Sequence, residues 1–84
     1  MDKELIEKQA LVDAINEHLK SQWSHEKTYC KVESIREAHT GNCNWMVDMT
    51  STGGITLEHA NECRELQNKV LEDFAEKYNV DWTA

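Results

Sequence analysis

Two histidine–cysteine pairs in this chain share one spacing. His39 and Cys43 are four residues apart in HTGNC, and His59 and Cys63 are four residues apart in HANEC. Imidazole and thiolate suit tetrahedral zinc, and two such pairs would supply four ligands. An imidazole beside a thiol is also the minimal arrangement for a cysteine nucleophile. Whether either chemistry is available depends on the elements that carry the two pairs.

The first predicted element is a helix from about Lys3 to Lys20, with Asp2 as its N-cap. Apolar residues with helical spacing predict its core-facing stripe: Leu5, Leu11, Val12, Ile15 and Leu19. A second, smaller apolar patch on the opposite side comprises Ile6, Ala10 and Ala14. The polar stretch SQWSHEKT that follows predicts a connection, with Trp23 folding back over the helix end.

A β-hairpin is predicted to follow this connection. TYCKVESIREA could form either a strand or a short helix, and we favour a strand because the next segment, NWMVDMT, is rich in strand formers and needs a partner. Gly41-Asn42 supplies the turn, and Trp45, Val47 and Met49 alternate to one face. Val32 and Ile35 are an odd number of residues apart, so either a β-bulge realigns them or both sheet faces are covered.

A second helix is predicted from about Leu57 to Tyr78, after a TSTGG loop and with Thr56 as its N-cap. Asn79 suits a left-handed stop, after which Val80 and Trp82 pack back onto the core. Gln67 interrupts the apolar face, which otherwise comprises Leu57, Ala60, Cys63, Val70, Leu71, Phe74, Ala75 and Tyr78. The sequence therefore predicts one small α+β domain over residues 1–84, in the order helix, strand, strand, helix, with both helices packed on the hairpin.

This architecture disfavours a shared site for the two pairs. Cys43 lies at the hairpin turn, and the strand after it carries the chain roughly 20 Å away before the second helix begins. Cys63 falls on the apolar stripe, where a thiol behaves as a small hydrophobe. We therefore predict no metal, no cofactor and no catalytic pair. The TSTGG loop lacks the lysine of a phosphate-binding loop.

Charge and composition exclude further classes of function. Nine Lys and Arg against sixteen Asp and Glu leave a net charge of −7, which disfavours direct binding to nucleic acid or to anionic lipid. No segment approaches the ~20 apolar residues of a membrane span. The charged opening, MDKELIEK, and an odd number of cysteines, three, predict a cytoplasmic protein with free thiols.

The remaining expectation is protein–protein interaction. A lone hairpin has two open edges, and pairing with a second copy would give a four-stranded antiparallel sheet. We predict a non-enzymatic interaction module, homodimeric, with a further protein partner. The alternative is an acidic inhibitor of the phage or prophage type, which would occupy a basic nucleic-acid site on a nuclease or similar machine. Trp45 is expected to anchor the core, and if it faces outward beside Tyr29 the two become candidate interface anchors. The second helix presents an acidic face, which is either a solvated surface or a docking surface for a basic partner: Glu58, Glu62, Glu65, Glu72, Asp73 and Glu76.

Overall fold

The structure is a computed structural model that describes residues 3–25, 28–39, 43–53 and 57–83. It contains two helices and an antiparallel hairpin, so the predicted α+β class is confirmed. Two short strands that the sequence did not predict flank these elements. In chain order the elements are β1 (Glu4–Ile6), α1 (Lys8–Gln22), β2 (Tyr29–Glu37), β3 (Trp45–Gly53), α2 (Leu57–Lys77) and β4 (Tyr78–Val80).

The hairpin of β2 and β3 contains a bulge at its centre. Val32 and Ile35 are both almost completely buried, although an odd number of residues separates them. The register shifts on both sides of Ser34, which is the irregularity that a β-bulge introduces. Of the two predicted alternatives, a β-bulge and a sheet covered on both faces, the chain adopts the bulge. The segment is also a strand rather than a short helix.

The same bulge changes the direction of the second strand's side chains. Trp45 is 3% exposed and Val47 is half-buried, as the alternation predicts, but Met49 is 59% exposed and pairs with Ser34. The prediction that Met49 points inward is wrong because the register shift turns it to the other face. β3 also continues to Gly53, so the predicted loop over residues 50–53 is strand.

The first helix begins later than predicted, at Lys8 rather than near Lys3. Glu7 is extended, and the residues before it form β1, which pairs in parallel with β4. Leu5, assigned to the core stripe, lies in β1 and is 65% exposed, so that assignment is wrong. The predicted cap Asp2 lies outside the described residues. The remainder of the stripe is buried as predicted: Leu11, Val12, Ile15 and Leu19.

The second helix follows its predicted bounds to within one residue, although Thr56 lies outside the described residues. Leu57 is 82% exposed, so its placement on the buried face is wrong. Gln67, the polar interruption, is 7% exposed, and its Nε2 donates to the backbone oxygen of Lys31 at 3.2 Å. A buried amide with a backbone partner explains why a polar residue is tolerated on this face.

The helix ends differently from the prediction. Asn79 lies in strand β4 instead of forming a left-handed stop, because Tyr78–Val80 pairs with β1. Val80 is 1% exposed and Trp82 packs against the core, as predicted. No helix in the described ranges is both long and apolar enough to cross a membrane.

Candidate functional site

A disulfide joins Cys30 at the start of β2 to Cys63 in the second turn of α2. Their Cα atoms are 5.7 Å apart, within the range that a disulfide spans. The prediction of free thiols is therefore wrong for these two residues, because the fold brings together cysteines that are 33 positions apart. Cys63 is buried, as its place on the apolar face indicates. Cys43 is separate from this bond, and its Sγ donates to the backbone oxygen of Trp45 at 3.1 Å.

The two histidine–cysteine pairs lie at opposite ends of the hairpin. Cys43 precedes Trp45, which pairs with Glu37 at the turn end. Cys63 is bonded to Cys30 at the open end, where β2 begins and β3 finishes. In the part of the chain that the structure describes, these four residues form no common cluster of metal ligands.

A different cluster forms instead, from His25, His59 and Glu62. The Nε2 atom of His25 is 2.8 Å from a carboxylate oxygen of Glu62. The imidazole of His25 stacks on that of His59, with the ring centroids 3.9 Å apart and the planes inclined by 23°. One nitrogen or oxygen from each of the three residues lies within 4.8 Å of the others. This is a two-imidazole, one-carboxylate donor set.

Local structure on both sides positions this cluster. His59 and Glu62 are three residues apart in α2, so they share a helix face. His25 lies in the connection between α1 and β2. Its ring packs edge-to-face against the ring of Trp23, with the ring centroids 4.8 Å apart. The backbone N–H of Trp23 donates to Leu19 at the end of α1, and its indole N–H donates to the hydroxyl of Thr28. Both ends of the connection that carries His25 are thereby fixed.

His25 is the member of this cluster that the sequence does not indicate. The stretch around it is polar and has no regular period, so its sequence predicts only a connection. The signal available was the spacing of His59 and Glu62, three apart on a helix, which is the spacing of two ligands on one face. Nothing in the sequence indicates which other segment would supply a third ligand.

A cavity of about 440 Å³ lies beside the cluster and shares His25 with it. It opens between α1 and the start of β2, next to the half of the disulfide that Cys30 contributes. Lys20 and Lys31 introduce positive charge at its wall, in a chain that is otherwise acidic. Its lining includes Asn16, Lys20, Trp23, His25, Thr28 and Lys31.

The two aromatic candidates for an interface differ in exposure. Tyr29 is 48% exposed, and its ring lies directly over Gly53 on the neighbouring strand. Trp45 is buried in the core, and its indole N–H donates to the backbone oxygen of Tyr78 at 3.1 Å. Tyr29 is thus available to a partner, whereas the surface of Trp45 is covered within its own chain.

The acidic face of α2 is exposed along its length. All six carboxylate residues predicted for it are exposed: Glu58, Glu62, Glu65, Glu72, Asp73 and Glu76. Among the ion pairs of the described residues, one involves this set, between Glu62 and His25. The face therefore presents negative charge to solvent.

The two edges of the hairpin are not equivalent. The side-chain amide of Asn16, in α1, donates to the backbone oxygen of Val32 at 2.8 Å and accepts from its N–H at 2.7 Å. Because a residue in an antiparallel strand directs both groups to the same side, Asn16 occupies the outer edge of β2 at this point. Along the described part of β3, no strand pairs with the corresponding outer edge.

Comparison of this chain with protein-family models, with curated proteins and with solved structures finds no match. No family is therefore assigned. The fold and the candidate sites define a small α+β protein with a disulfide between strand and helix, a cluster of metal-ligating side chains at one end of the hairpin, and a strand edge without a partner among the described residues.

Proposed function

We propose that the protein is a small non-enzymatic interaction module that works as a homodimer, in which the β3 strands of two copies pair into a four-stranded antiparallel sheet. The observation that carries the proposal is the outer edge of β3 from Met49 to Gly53. This segment contains no charged residue, and two of its five residues are threonines, which favour strands. Natural proteins usually protect such an edge with charge, proline or a cover.

The register identifies the groups that would pair. Val32 directs its backbone groups away from β3, so Thr50, its partner, also directs its N–H and carbonyl away from β2. Alternation gives Thr52 the same direction, whereas Ser51 faces Lys31 within the hairpin. Thr50 and Thr52 therefore carry the donors and acceptors of the open edge.

Exposed apolar side chains beside this edge support the same interface. Met49 is 59% exposed and Met46 is 38% exposed, both on β3, and Tyr29 lies across from Gly53. Alternation and register place them on the face of the hairpin that the helices do not cover. A two-fold axis beside β3 would bring the methionines of both copies together and bury them. Met and Tyr are among the residues enriched at interfaces.

The test is a pair of proline substitutions one residue apart. Thr52→Pro removes a donor from the open edge and leaves the ladder within the hairpin intact, so we expect a folded monomer. Ser51→Pro removes a donor that faces Lys31, so we expect it to destabilise the hairpin itself. Light scattering on the wild-type protein should give twice the 9.8 kDa chain mass. A wild-type monomer at high concentration would refute the proposal, as would a dimer that Thr52→Pro leaves unchanged.

The exposed acidic face of α2 supports a second candidate, an inhibitor that occupies a basic nucleic-acid-binding site. Charge-driven capture of a basic nuclease should weaken steeply as salt rises. Replacing Glu65, Glu72 and Glu76 by lysine should abolish capture. Replacing Asp13 and Glu17 of α1 by lysine removes exposed charge elsewhere and is the control. Equal loss in both variants would indicate a general charge effect and contradict a specific acidic face.

The location expected from the sequence, and proposed for the protein, is the cytoplasm. The disulfide weighs against it, because stable disulfides are rare in reducing compartments. Rapid alkylation in cells, followed by mass measurement, decides between the two. Modification of all three cysteines would support a reducing compartment, and modification of Cys43 alone would contradict it.

A further inference from the structure

Three metal-ligating side chains converge where the connection after α1 meets the first turns of α2. Two imidazoles and one carboxylate are donors that suit zinc in proteins, and three protein ligands leave one tetrahedral position for water or another small ligand. We propose that His25, His59 and Glu62 bind one zinc ion within a single chain. This site shares no residue with the strand edge of the proposed dimer.

The donor atoms are close enough for one ion, and the stacked rings of His25 and His59 must turn out of their stack to aim a nitrogen at it. Tetrahedral ligands at zinc-binding distances are about 3.3 Å from one another. The donor atoms of the three residues already lie within 4.8 Å, and the contact between His25 and Glu62 is 2.8 Å. Because the side chain of Glu62 is about half exposed and both histidines are partly exposed, rotation about side-chain bonds can close the remaining gap.

The present contacts within the cluster contribute little stability of their own. An exposed contact such as that between His25 and Glu62 contributes little to stability. The imidazoles of His25 and His59 are in direct contact, so one zinc ion would bridge them. A zinc ion thus satisfies all three groups together.

The backbone around the cluster is held in place before any ion binds. In α2, His59 and Glu62 are separated in sequence by Ala60 and Asn61, and Cys63 directly follows Glu62. Its disulfide partner Cys30 is five residues after His25, so one covalent bond ties both segments of the site together. Holding ligands in place beforehand reduces the entropy lost on binding.

The donor set selects the class of metal. Magnesium and calcium prefer oxygen ligands, and the cluster offers only one carboxylate. Imidazole suits zinc and the neighbouring divalent transition metals. Copper(II) binds such sites more tightly than zinc in general, so it serves as a comparison metal in the experiment.

The experiment uses untagged, oxidised full-length protein that has been treated with chelator, and titrates zinc chloride by calorimetry. We expect one zinc ion to bind per chain without a change in the oligomeric state. His59→Ala and His25→Ala should each lower the affinity by at least about tenfold. His39→Ala is the matched control, because His39 also lies near a glutamate, Glu37 at 3.7 Å, but is not part of the cluster. Its affinity should remain at the wild-type value.

A second readout uses the wild-type protein, so it does not depend on a variant that folds. The chain has four histidines, and nitrogen-15 spectra report each imidazole separately. Zinc should shift the ring nitrogens of His25 and His59, whereas those of His18 and His39 stay in place. Copper(II), which is paramagnetic, should selectively broaden the signals of the same two rings.

Three results would overturn the proposal. The first is the absence of saturable zinc binding, and the second is equal loss of affinity in His39→Ala and His59→Ala. The third is half a zinc per chain together with a doubling of the particle mass when zinc is added to the metal-free protein. That result would put the ion between two copies. Because Thr52→Pro alters the outer edge of β3 and none of the three ligands, it should bind zinc with the wild-type affinity whether or not the homodimer exists.

Discussion

The two ends of the hairpin are tied to the rest of the molecule by different chemistry. At the open end a single covalent bond, Cys30–Cys63, joins β2 to α2. At the turn end a polar residue, Asn44, exchanges two side-chain hydrogen bonds with the backbone of Val80, each 2.8 Å long. The side-chain amide of Asn44 takes the place that a neighbouring strand would occupy beside β4.

The two ends also use their polar side chains differently. Around Asn44 the polar groups are used to hold the structure: its N–H donates to Asn79, and its carbonyl accepts from the indole of Trp82. At the open end the disulfide joins β2 to α2, and His25 contacts Glu62 and His59 through its side chain. The side chains that could bind a metal ion therefore lie at the end of the hairpin that the disulfide fixes.

Removal of the disulfide is the largest expected change. Cys30→Ser with Cys63→Ser should lower the free energy of unfolding by about 3–4 kcal/mol, because the bond closes a long loop in the unfolded chain. For a domain of this size the melting temperature should fall by roughly 15 °C or more. Thermal unfolding in oxidising buffer measures this loss.

Cys43→Ser is the control for this experiment, since Cys43 lies at the other end of the hairpin and should have a much smaller effect. Reductant should destabilise the wild-type protein by a similar amount and should not affect the double variant. Equal stability of the wild-type protein and the double variant would show that non-covalent contacts hold both ends, and the contrast between them would be lost.

Asn44→Ala should be the next largest change. It leaves the backbone N–H and carbonyl of Val80, a residue only 1% exposed, without their side-chain partners. We expect a loss of about 2–3 kcal/mol in the free energy of unfolding, measured by urea denaturation. Asn79→Ala removes a single acceptor from the same network and should cost less. A larger effect of Asn79→Ala would contradict the central role of Asn44.

Much of the fold could be predicted from local patterns, and the parts that could not depend on contacts between distant segments. The buried stripe of α1 and the apolar face of α2 repeat every three to four residues, so they are visible in sequence. β1 and β4 have three residues each, too few for any period, and they exist because the two ends of the chain pair. Their formation shortened the predicted first helix and exposed Leu5.

The candidate site depends even more than the fold on contacts between residues that are far apart in sequence. The order of the residues does not indicate that Cys30 bonds to Cys63, since three cysteines allow three pairings. His25 reaches His59 only because β2 begins beside the second turn of α2. The acidic face of α2 was predictable in full, because it depends only on the period of one helix.

A smaller effect is expected at the open end from Gly53→Ala. A Cβ atom at this position would collide with the ring of Tyr29, which lies across Gly53 from the neighbouring strand. The ring is about half exposed and can rotate away, so we expect a loss of about 0.5–1 kcal/mol in the free energy of unfolding. In Tyr29→Ala the ring is absent, so the added Gly53→Ala substitution should cost nothing more. An undiminished cost there would show that the backbone conformation of Gly53 matters, rather than the ring.

The smallest expected effect concerns Asp81, just beyond β4 at the turn end. Hydrogen bonds from the hydroxyl and backbone N–H of Thr83 hold the pKa of this carboxyl below its ordinary value of 3.8. A lowered pKa in the folded state means that the stabilisation is fully present above pH 3.8 and is lost as pH falls through the folded pKa.

Urea denaturation between neutral pH and pH 3 should therefore show a slightly shallower loss of stability on acidification for Asp81→Asn than for the wild-type protein. Thr83→Ala keeps the carboxylate but removes its hydroxyl donor, so its acid profile should fall between those two. Salt should not abolish a difference in acid profile that arises from short hydrogen bonds. It would screen a long-range charge effect at a surface carboxylate such as Asp81. Identical acid profiles for all three proteins would show that the contacts of Asp81 with Thr83 do not contribute to holding the turn end.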